Sequence, residues 1–189
     1  MRARFVLLIA FVCLSNFCLC SFATAEQSDQ VVAERILGPR WKLLSRRAGM
    51  IFAGTVLTAG SQTVTTQTAA IDRVVPGTTA GTAPVIQLSF RVDEAIAGVE
   101  PGQVLTIHEW AGARSMPRPM RRGQHILIFL YPPSRLGLTS PVGGLLGQIA
   151  LDQSGKHVAE QGQKAAASMA GGSVRVVQLE RAIRSAREE

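Results

Sequence analysis

The stretch from Val85 to Ile96, VIQLSFRVDEAI, decides the fold class of this chain. Apolar and polar residues alternate through most of it, which is the period of two expected for a strand that buries one face. The apolar positions are Ile86, Leu88, Phe90 and Val92. We therefore predict a half-buried strand over Val85 to Ile96, and a sheet around it.

A second stretch, His125 to Tyr131, is apolar at nearly every position. Apolar residues on both faces are typical of a central strand, and Pro132 and Pro133 end it because proline cannot donate to a neighbouring strand. Further strands are predicted at Met50 to Leu57, at Gln103 to Trp110 and near Gln148 to Leu151. Residues 58–84 are rich in Thr, Ser and Gly, and predict a long loop or a frayed hairpin with an optional short strand at Ala70 to Val75.

Helices are predicted on both sides of the strand region. Pro39 to Gly49 has Pro at a first helical position and Gly at its end, and apolar residues recur through it with helical spacing. These residues are Leu37, Trp41, Leu44 and Ala48, which we expect to cover one end of the sheet. The last residues, Val174 to Glu189, start with β-prone residues and continue as a helical pattern.

The N-terminal residues predict export to the periplasm or the medium. Arg2 and Arg4 precede an apolar stretch, Phe5 to Phe22, and the small residues that a signal peptidase requires follow in Ala23-Thr24-Ala25. Cleavage near Ala25 removes all three cysteines, so the mature chain must hold together by burial alone. The alternatives are an uncleaved membrane anchor, and lipoprotein processing at Cys20, which lacks small residues before it.

The composition and the strand pattern together predict one mainly β domain. With 189 residues, of which 47% are hydrophobic and 17% charged, wholesale disorder and a coiled coil are not expected. The only long apolar run lies at the N-terminus, which excludes a polytopic membrane protein. About five strands without βαβ alternation predict a small barrel or a curled antiparallel sheet; a partly open five-stranded OB-like antiparallel barrel fits the strand count, with a short helix before it and a C-terminal helix. The predicted segments are a signal peptide (1–25), a flexible lead (26–38), the barrel domain (39–155), a Gly/Ala linker (156–173) and a strand/helix tail (174–189).

Four parts of the chain resemble a known family. They are Leu44 to Val56, the alternating strand Gln87 to Glu94, the Pro101-Gly102 turn before Val104 to Ile107, and Arg122 to Leu130. Between Leu43 and Leu151 the chain is similar to exported bacterial domains with an OB fold like that of the tissue inhibitors of metalloproteinases. Those inhibitors place an N-terminal cysteine on the catalytic zinc, whereas the predicted mature chain starts at Glu26 and has no cysteine. The resemblance therefore implies a fold and gives no residue a functional role.

Several kinds of chemistry lack their sequence signals. His108, His125 and His157 form no pair with metal-ligand spacing, so we expect them to be structural. There is no G-x-S-x-G motif and no phosphate-binding glycine loop, and Ser154-Gly155-Lys156 is typical of a turn. We expect no metal, no nucleotide and no other cofactor.

The candidate binding element is an arginine-rich loop. It runs from Arg114 to Arg122, carries two prolines and follows Trp110. A loop stiffened by proline presents guanidinium groups at a low entropic cost, and these groups bind carboxylates, phosphates or anionic surfaces. Its proposed binding residues are Trp110, Arg114, Arg118, Arg121 and Arg122, and the alternative is a solvated loop. Nucleic acid is not expected, because the chain is predicted to be exported and only 5% of its residues are aromatic.

The sequence thus predicts an exported, non-catalytic binding domain whose partner is a protein or an envelope component. Two alternatives stay open. One is a secreted hydrolase with an acid pair drawn from Asp93, Glu94 and Glu109, which lie on successive predicted strands. The other is a structural protein that binds an anionic surface through the arginine-rich loop.

Overall fold

The computed structural model describes residues 27–65, 82–110, 120–159 and 173–189. Within these ranges the chain forms a five-stranded antiparallel open sheet and three helices. The strands are β1 (Met50–Thr65), β2 (Thr82–Ala97), β3 (Val104–Trp110), β4 (His125–Leu130) and β5 (Gln148–Ala150). The helices are α1, described over 27–37, α2 (Trp41–Arg47) and α3 (Val176–Glu188).

The strand order is β3-β2-β1-β4-β5. The fourth strand returns to lie beside the first, which is the Greek-key arrangement. Consequently β1 is paired on both edges, with Thr55 opposite Arg91 of β2 and opposite His125 of β4. Side chains from three strands therefore stand in one row across the middle of the sheet.

The five antiparallel strands confirm the predicted mainly β fold, and the sheet is open and does not close into a barrel. The two outer strands, β3 and β5, are not paired with each other. The connection after β4 reaches the outer edge of β3 instead, where the Thr139 N–H donates to the His108 carbonyl at 2.9 Å. With only three residues, β5 offers few backbone groups with which to close a barrel.

Two apolar clusters lie on opposite faces of the sheet. The cluster on the side away from the helices, which contains Leu88, Phe90 and Val92, confirms the predicted half-buried strand. The other cluster lies between the sheet and the helices, and includes Ile51, Leu127 and Phe129. Since both faces are covered, Ile126 to Leu130 are all buried, which explains why β4 is apolar throughout.

The prediction of a flexible lead over 26–38 is wrong, because residues 27–37 are helical. One side of α1 is buried through Asp29, Ala33 and Leu37, which are spaced four residues apart. The Asp29 carboxylate is paired with the Arg181 Nε of α3 at 3.0 Å. A buried stripe that contains one acid and one alanine gives a weak periodic signal, so this helix depends on the surfaces it packs against.

The C-terminal residues confirm a helix, but they form part of the core and are not a detached tail. Leu179 and Ile183 of α3 are fully buried against the helix side of the sheet. Arg187 donates to the carbonyl of Ser45 and to that of Ala48, at 2.8 Å for the latter, and so satisfies the end of α2. The first residues of the predicted linker 156–173 are part of the fold, because Val158 is buried and its N–H donates to the Val174 carbonyl at 2.9 Å. Residues 160–172 lie outside the described residues.

The first two strands are longer than predicted. They pair as a hairpin out to Thr65 opposite Thr82, so both ends of the predicted loop 58–84 are strand. The optional strand at Ala70 to Val75 lies outside the described residues. In the described parts of the chain, no helix combines the length and apolar character needed to cross a membrane.

The close approach of the paired strands β1 and β2 leaves no room for a side chain at Gly54. A Cβ at this position would lie 2.5 Å from the Arg91 carbonyl oxygen and 3.2 Å from the Phe52 ring. We expect Gly54→Ala to lower the free energy of unfolding by about 1–3 kcal/mol, because the backbone of β2 must move. A Cβ at Gly60 on the same strand would meet nothing within 4 Å, so Gly60→Ala should stay within about 0.5 kcal/mol of the parent. Denaturant unfolding of both variants measures the difference, and equal stabilities would contradict the assigned register.

Candidate functional site

The described residues include only part of the predicted arginine-rich loop. Arg114 and Arg118 lie outside them. Trp110 is the last residue of β3, where its backbone pairs with Val85. Arg121 and Arg122 are exposed in a turn that leads into β4. This turn is anchored to the sheet, because the Gly123 N–H donates to the Val56 carbonyl at 2.8 Å.

A polar network occupies the helix side of the sheet beyond the helices. The Thr55 hydroxyl donates to Asp93 Oδ2 at 2.6 Å, and Arg91 Nε donates to the other oxygen of Asp93 at 3.0 Å. The Nδ1 atom of His125 lies 3.1 Å from the Thr55 oxygen. Three strands thus contribute one hydrogen-bonded group of side chains, which we call the β1 polar network: Thr55, Arg91, Asp93 and His125.

The shortest contact of this network is made by the Thr55 hydroxyl. A hydroxyl has one proton, and Thr55 donates this proton in its 2.6 Å hydrogen bond to the Asp93 carboxylate. The Thr55 oxygen also lies 3.1 Å from His125 Nδ1 and 3.5 Å from the Arg91 guanidinium. The network therefore joins β1, β2 and β4 on a stretch of the sheet that the helices leave uncovered.

Two of the acids considered for hydrolysis, Asp93 and Glu109, lie on opposite faces of the sheet. Asp93 belongs to the β1 polar network on the helix side of the sheet. Leu105, Ile107 and Glu109 are at every second position of β3, so Glu109 faces the side of the sheet away from the helices. Only 1% of Glu109 is exposed there. Glu94 is exposed. Two carboxylates that act on the same glycosidic bond must flank it from one face of the sheet, which Asp93 and Glu109 do not share.

A tight turn from Asp152 to His157 packs beside the network. The Ser154 hydroxyl donates to both oxygens of Asp152, and this is the main reason why the pKa of Asp152 is lowered from 3.8 to about 2. The backbone N–H groups of Lys156 and His157 donate to the same carboxylate. Gly155, with a φ of +70°, lies against the His125 ring. Ser154 is therefore engaged by Asp152, as the predicted turn requires.

The connection between β4 and β5, residues 131–147, has apolar side chains exposed to solvent, and its backbone is held by hydrogen bonds of its own. Its first turn is closed by three hydrogen bonds between Ser134 and Gly137 or Leu138. Leu136 stands at the tip of this turn and is 72% exposed. Such a turn presents an apolar side chain without losing much freedom when a partner binds.

The end of the same connection lies against α2. The point where a Gly143 Cβ would lie is 3.6 Å from Leu146 Cβ and 3.8 Å from Leu44 Cδ1. Leu145 and Leu146 are 56% and 61% exposed, and Leu43, next to Leu44 on α2, is 48% exposed. We call these three exposed side chains, Leu43, Leu145 and Leu146, the leucine surface.

The sequence indicated neither the β1 polar network nor the leucine surface. His125 and Asp93 were visible as single residues, but their contact depends on strand register. Among the described residues, no three His, Cys, Asp or Glu side chains are grouped as a metal ion would require. Comparisons with protein-family models, with curated proteins and with solved structures found no match.

The β1 polar network can be tested by removing its central hydroxyl. Thr55→Val keeps the shape of the side chain but leaves Asp93 without its 2.6 Å donor. We expect a loss of about 1–3 kcal/mol in the free energy of unfolding, since this hydrogen bond has a charged acceptor. Thr58→Val, at an exposed position of the same strand, should change it by less than about 0.5 kcal/mol. Denaturant titrations that show equal losses for both variants would rule out a stabilising network.

The Asp152 turn predicts a pH effect of known sign. Because folding lowers the pKa of Asp152, its carboxylate stabilises the folded state above about pH 4, and this contribution is lost as the pH falls towards 2. Ser154→Ala removes the main cause, so the pKa of Asp152 should rise towards its ordinary value. NMR titration of the side-chain carboxyl measures this, with Gln153→Ala, an exposed neighbour, as the control. An unchanged pKa in Ser154→Ala would contradict the assigned hydrogen bonds.

Proposed function

We propose that this chain is an exported domain that acts by binding and not by catalysis, and that its partner is a protein or another component of the cell envelope. Export is supported by the order of Arg2 and Arg4, an apolar stretch and Ala23-Thr24-Ala25. The mature protein would begin at Glu26, one residue before the described part of α1.

The observation that carries the binding proposal is the β4–β5 connection. It exposes Leu136, Leu145 and Leu146, each by more than half, from a backbone held by its own hydrogen bonds. Single exposed leucines are common, but three on one connection of 17 residues point to a contact surface. An ordered connection also loses little conformational entropy on binding, which favours recognition.

The polar groups support binding over catalysis. The Thr55 hydroxyl donates to the Asp93 carboxylate, and the Ser154 hydroxyl donates to the Asp152 carboxylate. Glu109 faces the opposite side of the sheet from Asp93. Both hydroxyls are thus hydrogen-bonded to a carboxylate next to them, and Asp93 and Glu109 do not share a face of the sheet, which supports binding over catalysis.

We also propose that the open sheet is of the OB type and is related to the fold of the tissue inhibitors of metalloproteinases. The support is the Greek-key order of the first four strands, with β5 placed beside β4. The contact of Thr139 with His108 brings the β4–β5 connection to the free edge of β3, the side on which an OB barrel closes. The inhibitory mechanism of that family is not part of the proposal, because the mature chain would have no cysteine.

The proposal is tested by expressing the full chain in a bacterium and recovering the exported form. N-terminal sequencing should begin at Glu26, and the recovered protein should sediment with the envelope fraction. Substitution of Leu136, Leu145 and Leu146 together by Ser should weaken this binding by more than about tenfold, as expected when several apolar anchors are lost. The matched control is the Val104→Ser, Val177→Ser variant, which removes exposed apolar side chains from β3 and α3.

Three results would overturn the proposal. A chain that retains Met1 in the cytoplasmic fraction would exclude export. An exported chain that does not associate with the envelope would exclude this class of partner. Equal binding by the triple leucine variant and the valine control would show that the β4–β5 connection is not the contact surface.

A further inference from the structure

The two segments that meet at the leucine surface contain basic residues and no acidic residue. The stretch from Arg40 to Arg47, which contains α2, has four Lys or Arg residues and no Asp or Glu. The β4–β5 connection, residues 131–147, has Arg135 and no Asp or Glu. The only carboxylate that forms an ion pair with α2 among the described residues is Glu189, which binds Lys42 and Arg46. The charges of these two segments that have no ion pair among the described residues are therefore positive.

The cations nearest to Leu43 along its face of α2 are available for a partner. Arg40 lies three residues before Leu43 and Arg47 lies four residues after it, so all three residues share one side of the helical turn. Arg47 is exposed, and neither Arg40 nor Arg47 forms an ion pair with any described residue. Leu43 thus lies between two guanidinium groups that pair with no acid in the described parts of the chain.

The leucine surface is aliphatic and has arginines at its border. Contact surfaces for proteins are enriched in Tyr, Trp and Phe at their centre, whereas the three side chains here are all Leu. Leucines that project from a folded domain between unpaired cations are typical of proteins that lie on an anionic membrane, with apolar side chains in the headgroup region and arginines on phosphates.

We propose that the leucine surface docks on an anionic phospholipid bilayer, with Leu43, Leu145 and Leu146 entering the interface and Arg40 and Arg47 contacting lipid phosphates. This inference rests on the proposed function, because it identifies the envelope component as lipid. It uses residues other than those of the arginine-rich loop, and it fixes which side of the domain faces the membrane: the ends of β4 and α2, with Arg121 and Arg122 at the opposite end of β4.

The test is the binding of the exported full-chain product to large vesicles. Vesicles of phosphatidylcholine with 30% phosphatidylglycerol, on the order of a natural anionic fraction, are compared with vesicles of phosphatidylcholine alone. We expect binding to the anionic vesicles only, and a progressive loss of binding as the salt concentration is raised from about 0.05 M to 0.5 M. Binding that is equal for the two lipid compositions would overturn the proposal.

Variants separate the apolar and the electrostatic contributions. Substitution of Leu43, Leu145 and Leu146 by Ser should weaken binding by at least about tenfold, since about three exposed leucine side chains lose their apolar contact. Arg40→Gln with Arg47→Gln should weaken it by about fivefold for each arginine. The charge-matched control is Arg121→Gln with Arg122→Gln, which removes the same charge far from the surface and should have the smaller effect. Thermal unfolding of every variant checks that the fold is kept.

The outcomes distinguish this inference from the proposed function. If the leucine variant binds anionic vesicles as tightly as the parent, or if the Arg121/Arg122 variant is weakened as much as the Arg40/Arg47 variant, the proposed surface is wrong. If the parent does not bind vesicles but still sediments with the envelope in a protease-sensitive manner, the partner is a protein. The inference then fails, while the proposed function stands. If it binds neither vesicles nor the envelope, both fail.

Discussion

The structure depends on β1 being paired on both edges and covered on both faces. Its backbone is bonded to β2 on one side and to β4 on the other, and its side chains alternate between the two apolar clusters. Ile51 and Ala53 pack towards the helices, while Phe52 and Val56 pack towards the other side. Because so many backbone and apolar contacts converge on one strand, its register fixes the position of almost everything else.

The β1 polar network follows from that register. Thr55 is opposite both Arg91 and His125, and the bulge beside Ala53 brings Asp93 to the same side. Polar side chains from three strands that are far apart in the sequence become one hydrogen-bonded group where the apolar cover of the helices ends. A polar group at this place needs partners, since the strands around it are largely buried, and each member supplies one for another.

The helices stabilise one face of the sheet and at the same time shape the outer surface. Arg187 donates to carbonyls at the end of α2, and Glu189 forms ion pairs with Lys42 and Arg46. Part of the basic charge of α2 is therefore paired within the chain. Arg40 and Arg47, which lie on the outer side with Leu43, form no ion pair with the described residues. The β4–β5 connection then adds Leu145 and Leu146 beside α2. The surface that we propose for membrane contact is therefore produced by the packing of two segments that are about 100 residues apart in the sequence.

The sequence by itself determined the strands and two of the three helices, because alternation and helical spacing are local properties of the chain. It placed Leu88, Phe90 and Val92 in a core, and β4 inside the sheet, where the strand is paired on both edges, with β1 and β5. Only the tertiary structure decided that the sheet stays open, that residues 27–37 are helical, and which face Glu109 shares. The physical reason is that each of these depends on contacts between distant segments. Strand closure needs paired edges, α1 needs Arg181 and the apolar surface beneath Ala33 and Leu37, and the leucine surface needs α2 and the β4–β5 connection to be side by side.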